Sequence, residues 1–114
     1  YVRNEIAAVV AAAKGKTVKV IIETGLLTDE EKALATRLSC EAGAHFVKTC
    51  TGVSVGVATV ADVQIMKANL SGSTVIKASA GIRTYADAAA LIEAGASRLG
   101  TSAGISIIES AAKA

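Results

Sequence analysis

What most constrains this chain is an alternation without a break: Val- and Ile-rich runs are separated by amphipathic, alanine-rich stretches, and each junction carries residues that start or stop helices. The apolar runs predict strands at Thr17 to Glu23, His45 to Cys50, Thr74 to Ser79 and Ser97 to Thr101. Helices are predicted at Val2 to Ala13, Thr28 to Ala42, Thr59 to Asn69, Thr84 to Ala94 and Ser102 to Ala112. Thr28-Asp29-Glu30-Glu31 reads as a capping box, and Thr59 with Asp62 and Thr84 with Asp87 offer similar starts. Gly15, Gly43 and Gly95 stand where helices should end, and Glu41-Ala42-Gly43-Ala44 recurs as Glu93-Ala94-Gly95-Ala96.

Strands joined by helices run parallel, because each crossover returns the chain to the same end of the sheet. A near-continuous apolar strand such as Val18-Lys19-Val20-Ile21-Ile22-Glu23 fits either a doubly wound sheet or part of a (βα)8 barrel. A whole barrel takes about 200 residues or more, so a chain of 114 is at most half of one. The fold class is therefore α/β, and the whole chain, 1–114, reads as one domain of the pattern α-(βα)4.

Charge and composition narrow the function. Twelve basic and ten acidic residues give a net charge of +2, and neither sign gathers into a block that could follow a phosphate backbone, so nucleic acid is not an expected partner. No apolar run approaches the roughly 20 residues of a membrane span, and the start has no signal-peptide plan, so no membrane and a cytoplasmic location are expected. A first residue of Tyr1 rather than methionine suggests a piece of a longer product. Cys40 and Cys50 with one histidine make neither a disulfide framework nor a metal cluster, and both read as free thiols.

Several apparent motifs dissolve on inspection. Gly15-Lys16-Thr17 looks like the end of a P-loop, but Val10 stands where the motif needs a glycine, and the segment precedes its strand. No G-x-G-x-x-G follows a strand. His45 lacks a second ligand at metal spacing and reads as structural; Cys50 has no histidine nearby in sequence and reads as a small packed side chain.

Two lysines carry more. Lys48 and Lys77 each interrupt an otherwise apolar strand near its C-terminal end, where βα loops build sites. A lysine reaching solvent along its stem is the ordinary explanation. On successive parallel strands, however, the two would be neighbours, and mutual repulsion would free one amine of its proton nearer to neutral pH, as a Schiff-base nucleophile requires. The loops that follow, Thr51-Gly52, Ser79-Ala80-Gly81 and Gly100-Thr101-Ser102, are small enough to bring backbone amides onto a phosphate.

Phe46-Val47-Lys48-Thr49-Cys50-Thr51-Gly52, with Lys77-Ala78-Ser79-Ala80-Gly81-Ile82-Arg83-Thr84 and Val20-Ile21-Ile22-Glu23-Thr24-Gly25, closely resembles the deoxyribose-phosphate aldolases, class I aldolases on a (βα)8 barrel. The resemblance runs across nearly the whole chain and points to strands five to eight of the family. It implies that Lys48 forms the imine, that Lys77 holds down its pKa and assists proton transfer, and that Thr51, Gly52, Ala80, Gly81, Gly100 and Ser102 bind the substrate phosphate. The implied reaction is reversible cleavage of 2-deoxy-D-ribose 5-phosphate to glyceraldehyde 3-phosphate and acetaldehyde, with no metal and no cofactor. Ala80 stands where the family usually has glycine, Cys50 where it has serine, and Ala103 where a second serine often follows Ser102. The family's catalytic aspartate would lie upstream, and its tyrosine-bearing tail beyond Ala114.

Half a barrel leaves two unpaired strand edges and, by expectation, an apolar inner face open to water. The expected partners are accordingly a small phosphorylated sugar and a second copy of the chain, two halves making an eight-stranded homodimer. The alternatives are an inert truncated homologue that keeps the fold and phosphate binding, and a monomeric open-sheet binding module.

Overall fold

The computed structural model describes residues 1–53 and 55–113. Helix α1 spans Val2–Ala12, and four strand–helix units follow: β1 (Lys19–Ile21) with α2 (Asp29–Glu41), β2 (Phe46–Lys48) with α3 (Val60–Ala68), β3 (Val75–Ser79) with α4 (Tyr85–Ala94), and β4 (Arg98–Gly100) with α5 (Gly104–Ala111). A short 3-10 turn, Thr24–Leu26, lies between β1 and α2. All nine expected elements are present. The strands are shorter than the apolar runs that announce them, because the run ends bend away into loops; Glu23 already has φ +54°.

Helix starts obey the local chemistry. Thr28 Oγ1 accepts from the Glu31 amide at 3.2 Å while Glu31 Oε1 accepts from the Thr28 amide at 2.9 Å, a full capping box. Thr59 and Thr84 accept from the amides of Asp62 and Asp87, each at 3.1 Å. The repeated Glu-Ala-Gly-Ala segments share one geometry as well. Gly43 (φ +85°) and Gly95 (φ +132°) turn the chain, and the amides of Ala44 and Ala96 reach back to the carbonyls of Ser39 and Leu91, closing a Schellman motif at each helix end.

The sheet order is β1-β2-β3-β4 and every pairing is parallel. Crossovers of one hand that always advance in one direction put all their helices on one face, whereas a doubly wound sheet reverses its order. Strand order therefore selects the barrel segment. On the helix side Val47, Ile76 and Ala78 pack against Val63 and Met66 of α3 and Ala88 and Leu91 of α4, with Leu99 at the margin. Lys32 of α2 ties its neighbour down, its Nζ 2.7 Å from Asp62 Oδ1 on α3.

Among the described residues the opposite face has no helix over it, and it is not the apolar surface expected. Lys19, Phe46, Lys48, Lys77 and Arg98 project there, set by the alternation of side chains along in-register strands. Lys19 and Arg98 both lie over the Phe46 ring, 5.4 and 4.7 Å from its centroid. Among the described residues, the ion pairs are those of Arg3 with Glu41 and of Lys32 with Asp29 and Asp62, all on helices. Half a barrel here exposes a cationic face, because the lysines and Arg98 occupy the parity positions that apolar residues were expected to fill. Among the described residues β1 and β4 each pair on one side only, and α5 shows Ile105 and Ile108 to solvent. No helix is long and apolar enough to cross a membrane among the described residues.

Candidate active site

Register brings the two lysines together. Lys48 on β2 pairs with Lys77 on β3, and Lys77 pairs in turn with Arg98 on β4. Both lysines are half-buried. The Lys77 amine is held below its ordinary pKa, first by burial and then by the charges of Lys48, Lys19 and Arg98. Its stem passes over Gly100: a Cβ built there would fall 3.0 Å from Lys77 Cε and 3.1 Å from Ser79 Cβ, so the glycine clears the path of the side chain.

At the C-terminal ends of the strands an open cleft of about 650 Å³ gathers Lys48, Thr51, Gly52, Ala80, Gly81, Gly100 and Ser102, every expected site residue except Lys77. Lys77 sits one strand over, on the uncovered face, without lining the cleft. The two lysine-bearing strands are locked where they enter their loops. Thr49 Oγ1 accepts from the Ser79 amide and donates to the Ser79 carbonyl, both at 3.1 Å, and Ser79 Oγ donates to the Cys50 carbonyl at 2.6 Å. Ala80 adopts φ +83°, a strained value for a residue with a Cβ, and its carbonyl accepts from the Ala58 amide at 3.0 Å.

Thr51 lines the cleft with its donors already in use: its amide donates to Glu23 Oε1 at 3.1 Å and its hydroxyl to Glu23 Oε2 at 2.6 Å. Sequence reasoning did not single out Glu23, since nothing in spacing links residues 28 apart. Nor did it assign Arg83, which lines the cleft as an exposed cation beside the glycine loops; a basic residue directly after a Gly-rich βα loop was the available signal. Val57 and Thr101 are also part of the wall. His45 is structural, its Nδ1 accepting from the Val18 amide at 2.9 Å, and Cys50 is fully buried against Thr24. A separate apolar groove of about 430 Å³ between α4 and α5 contains none of the expected residues.

No protein-family model matches the chain. The curated deoxyribose-phosphate aldolase of Bdellovibrio bacteriovorus is 58% identical over 109 residues, which is 96% of this chain and 50% of that protein. The crystal structure of a candidate deoxyribose-phosphate aldolase of Coccidioides immitis superposes with a TM-score of 0.92 at 42% identity, over 96% of this chain and 45% of that one. A tetrameric deoxyribose phosphate aldolase of Aeropyrum pernix superposes with a TM-score of 0.87 at 35% identity, over 96% and 48%. The chain spans about half the length of the curated relatives it matches, and its four strands and five helices are half of a (βα)8 barrel. Over nearly all of its own length, this chain is homologous to the deoxyribose-phosphate aldolase family.

Proposed function

We propose that the chain is one half of a class I aldolase, with Lys48 as the Schiff-base lysine and 2-deoxy-D-ribose 5-phosphate as its substrate. One observation carries the reading: Lys48 opens into a glycine-lined cleft, and its register partner is an amine held below its ordinary pKa. Two ammonium groups paired in register repel, which favours loss of one proton from the pair and lets Lys77 exchange a proton with Lys48 as Lys48 attacks a carbonyl.

The deprotonated Lys48 Nζ adds to the substrate aldehyde, and loss of water leaves an iminium. The sugar C2–C3 bond then breaks as a proton leaves the C3 hydroxyl, and the electron pair moves toward the iminium nitrogen, giving an enamine. Glyceraldehyde 3-phosphate departs; protonation of the enamine carbon and hydrolysis release acetaldehyde and restore the lysine. Gly52, Ala80, Gly81, Gly100 and Ser102 cradle the phosphate through backbone amides, helped by the N-terminus of α5 and by the Arg83 guanidinium. Thr51 shapes the loop, because its donors are occupied by Glu23.

A second half completes the barrel, and a second copy of this chain supplies it in a homodimer. The unpaired edges of β1 and β4 and the exposed Ile105 and Ile108 support closure by another chain segment. The competing reading, an inert homologue that keeps phosphate binding, rests on the same cleft without turnover.

Acetaldehyde release from deoxyribose 5-phosphate tests the proposal. Turnover by the wild-type chain that disappears in Lys48→Ala supports it. Phosphate binding with no turnover in either chain leaves the inert homologue as the correct reading.

A further inference from the structure

We propose that Glu23 is the positioning residue of the anion cradle, acting through Thr51; the proposal deepens the aldolase reading and rests on it. Both carboxylate oxygens of Glu23 are committed to one residue, Oε1 to the Thr51 amide at 3.1 Å and Oε2 to the Thr51 hydroxyl at 2.6 Å. A carboxylate accepting two such bonds holds its partner in one orientation, and charge assistance makes each bond stronger than a neutral one. Thr51 passes the constraint on, because its Oγ1 also accepts from the Val53 amide at 3.3 Å. Gly52, which lines the cleft at φ +88°, lies between those two fixed amides. The carboxylate therefore sets the turn that presents Gly52.

Glu23 is itself held in place at some cost. It adopts φ +54° and ψ +68°, a left-handed conformation that a residue with a side chain takes up only at a cost. The surrounding contacts impose that conformation. The Thr24 amide donates to the Thr49 carbonyl at 2.9 Å, and Thr24 Oγ1 contacts Cys50 Sγ at 3.3 Å. Gly25 then meets the far side of the same loop, where a Cβ would fall 2.4 Å from the Val55 carbonyl oxygen. The end of β1 is thus stitched along the loop after β2, and the strained residue is the one whose side chain reaches the cleft wall. A carboxylate at the rim of an anion site makes sense as a clamp on the loop, since as a ligand it would repel phosphate.

Amide chemical shifts of the isotopically labelled chain, followed as inorganic phosphate is added, test this. The wild-type chain is expected to show saturable shifts at Gly52 and Gly81. Glu23→Gln, which keeps the shape but cannot accept both bonds, is expected to bind phosphate about tenfold more weakly, with sheet amides such as Val47 and Ile76 unmoved. Thr51→Val is expected to lose a similar factor. The double variant should be no weaker than the worse single one, because the two residues act as one unit. Losses that simply multiply, or a Glu23→Gln chain that binds as tightly as wild type or more tightly, overturn the proposal. A wild-type chain blind to phosphate overturns the cradle itself, and the clamp with it.

Discussion

Lys48 and Lys77 are register partners on adjacent parallel strands, and Lys77, with Arg98 on its other side, has the depressed pKa. Such a cation is a stability liability kept for another purpose. Because Lys77 binds its proton less tightly folded than unfolded, the unfolded chain holds more protons between the lowered pKa and 10.5, and stability rises with pH across that window. Lys77→Met should stabilise the chain near neutral pH by about 0.5–1 kcal/mol and flatten that rise while abolishing turnover. Urea unfolding of both chains at about pH 8 and about pH 10 checks it; a variant less stable than wild type contradicts it.

The loop after β3 favours a glycine at position 80 on steric grounds: Ala80 stands at φ +83°, and Gly52 faces it, a Cβ there falling 3.8 Å from that of Ala80. Relief of left-handed strain, worth about 1–2 kcal/mol, outweighs the entropy glycine adds to the unfolded chain. Ala80→Gly should therefore raise stability by about 0.5–1 kcal/mol and tighten phosphate binding. Thermal unfolding and a phosphate titration give the two answers.

Lys32 and Asp62 form a largely buried pair between α2 and α3, 2.7 Å apart. The Asp62 hydrogen bond raises the Lys32 pKa most, against the lowering effect of burial. A raised folded-state pKa means stability that is complete below 10.5 and lost as pH climbs through the folded value. Lys32→Met should cost about 2 kcal/mol by stranding Asp62, and Lys32→Met with Asp62→Leu should recover much of it. Urea midpoints of the single and double variants decide the matter.

Closing a barrel from two copies would bring the Lys19, Lys48, Lys77 and Arg98 of each into one interior, eight cations in all. Repulsion of that kind is relieved by bound or screening anions. Self-association should accordingly strengthen with sulfate or phosphate more than with chloride at equal ionic strength. Sedimentation equilibrium reads this directly, and a chain that stays monomeric at all anion concentrations removes the homodimer.

Fold and site were legible to different depths. Helix starts at Thr28, Thr59 and Thr84 could be read because capping is local chemistry, and each cap forms as expected. The Lys48–Lys77 pair could be read because parallel neighbours place equivalent strand ends side by side. The choice between doubly wound and barrel topology could not be read from periodicity, which is silent on strand order, and came instead from the resemblance of the two lysine motifs to the aldolase family. The cationic inner face escaped notice because Lys19 and Arg98 join it only once the register is known. Glu23 and Thr51 meet across two strand ends, a relationship that spacing along the chain does not encode.

The most direct measurement is borohydride reduction in the presence of acetaldehyde, followed by peptide mapping. An ethyl group trapped on Lys48 in the wild-type chain, absent in Lys48→Ala and reduced in Lys77→Met, is the expected result. No adduct at saturating acetaldehyde, or an adduct on Lys77 in place of Lys48, would contradict the assignment of Lys48 as the imine-forming amine.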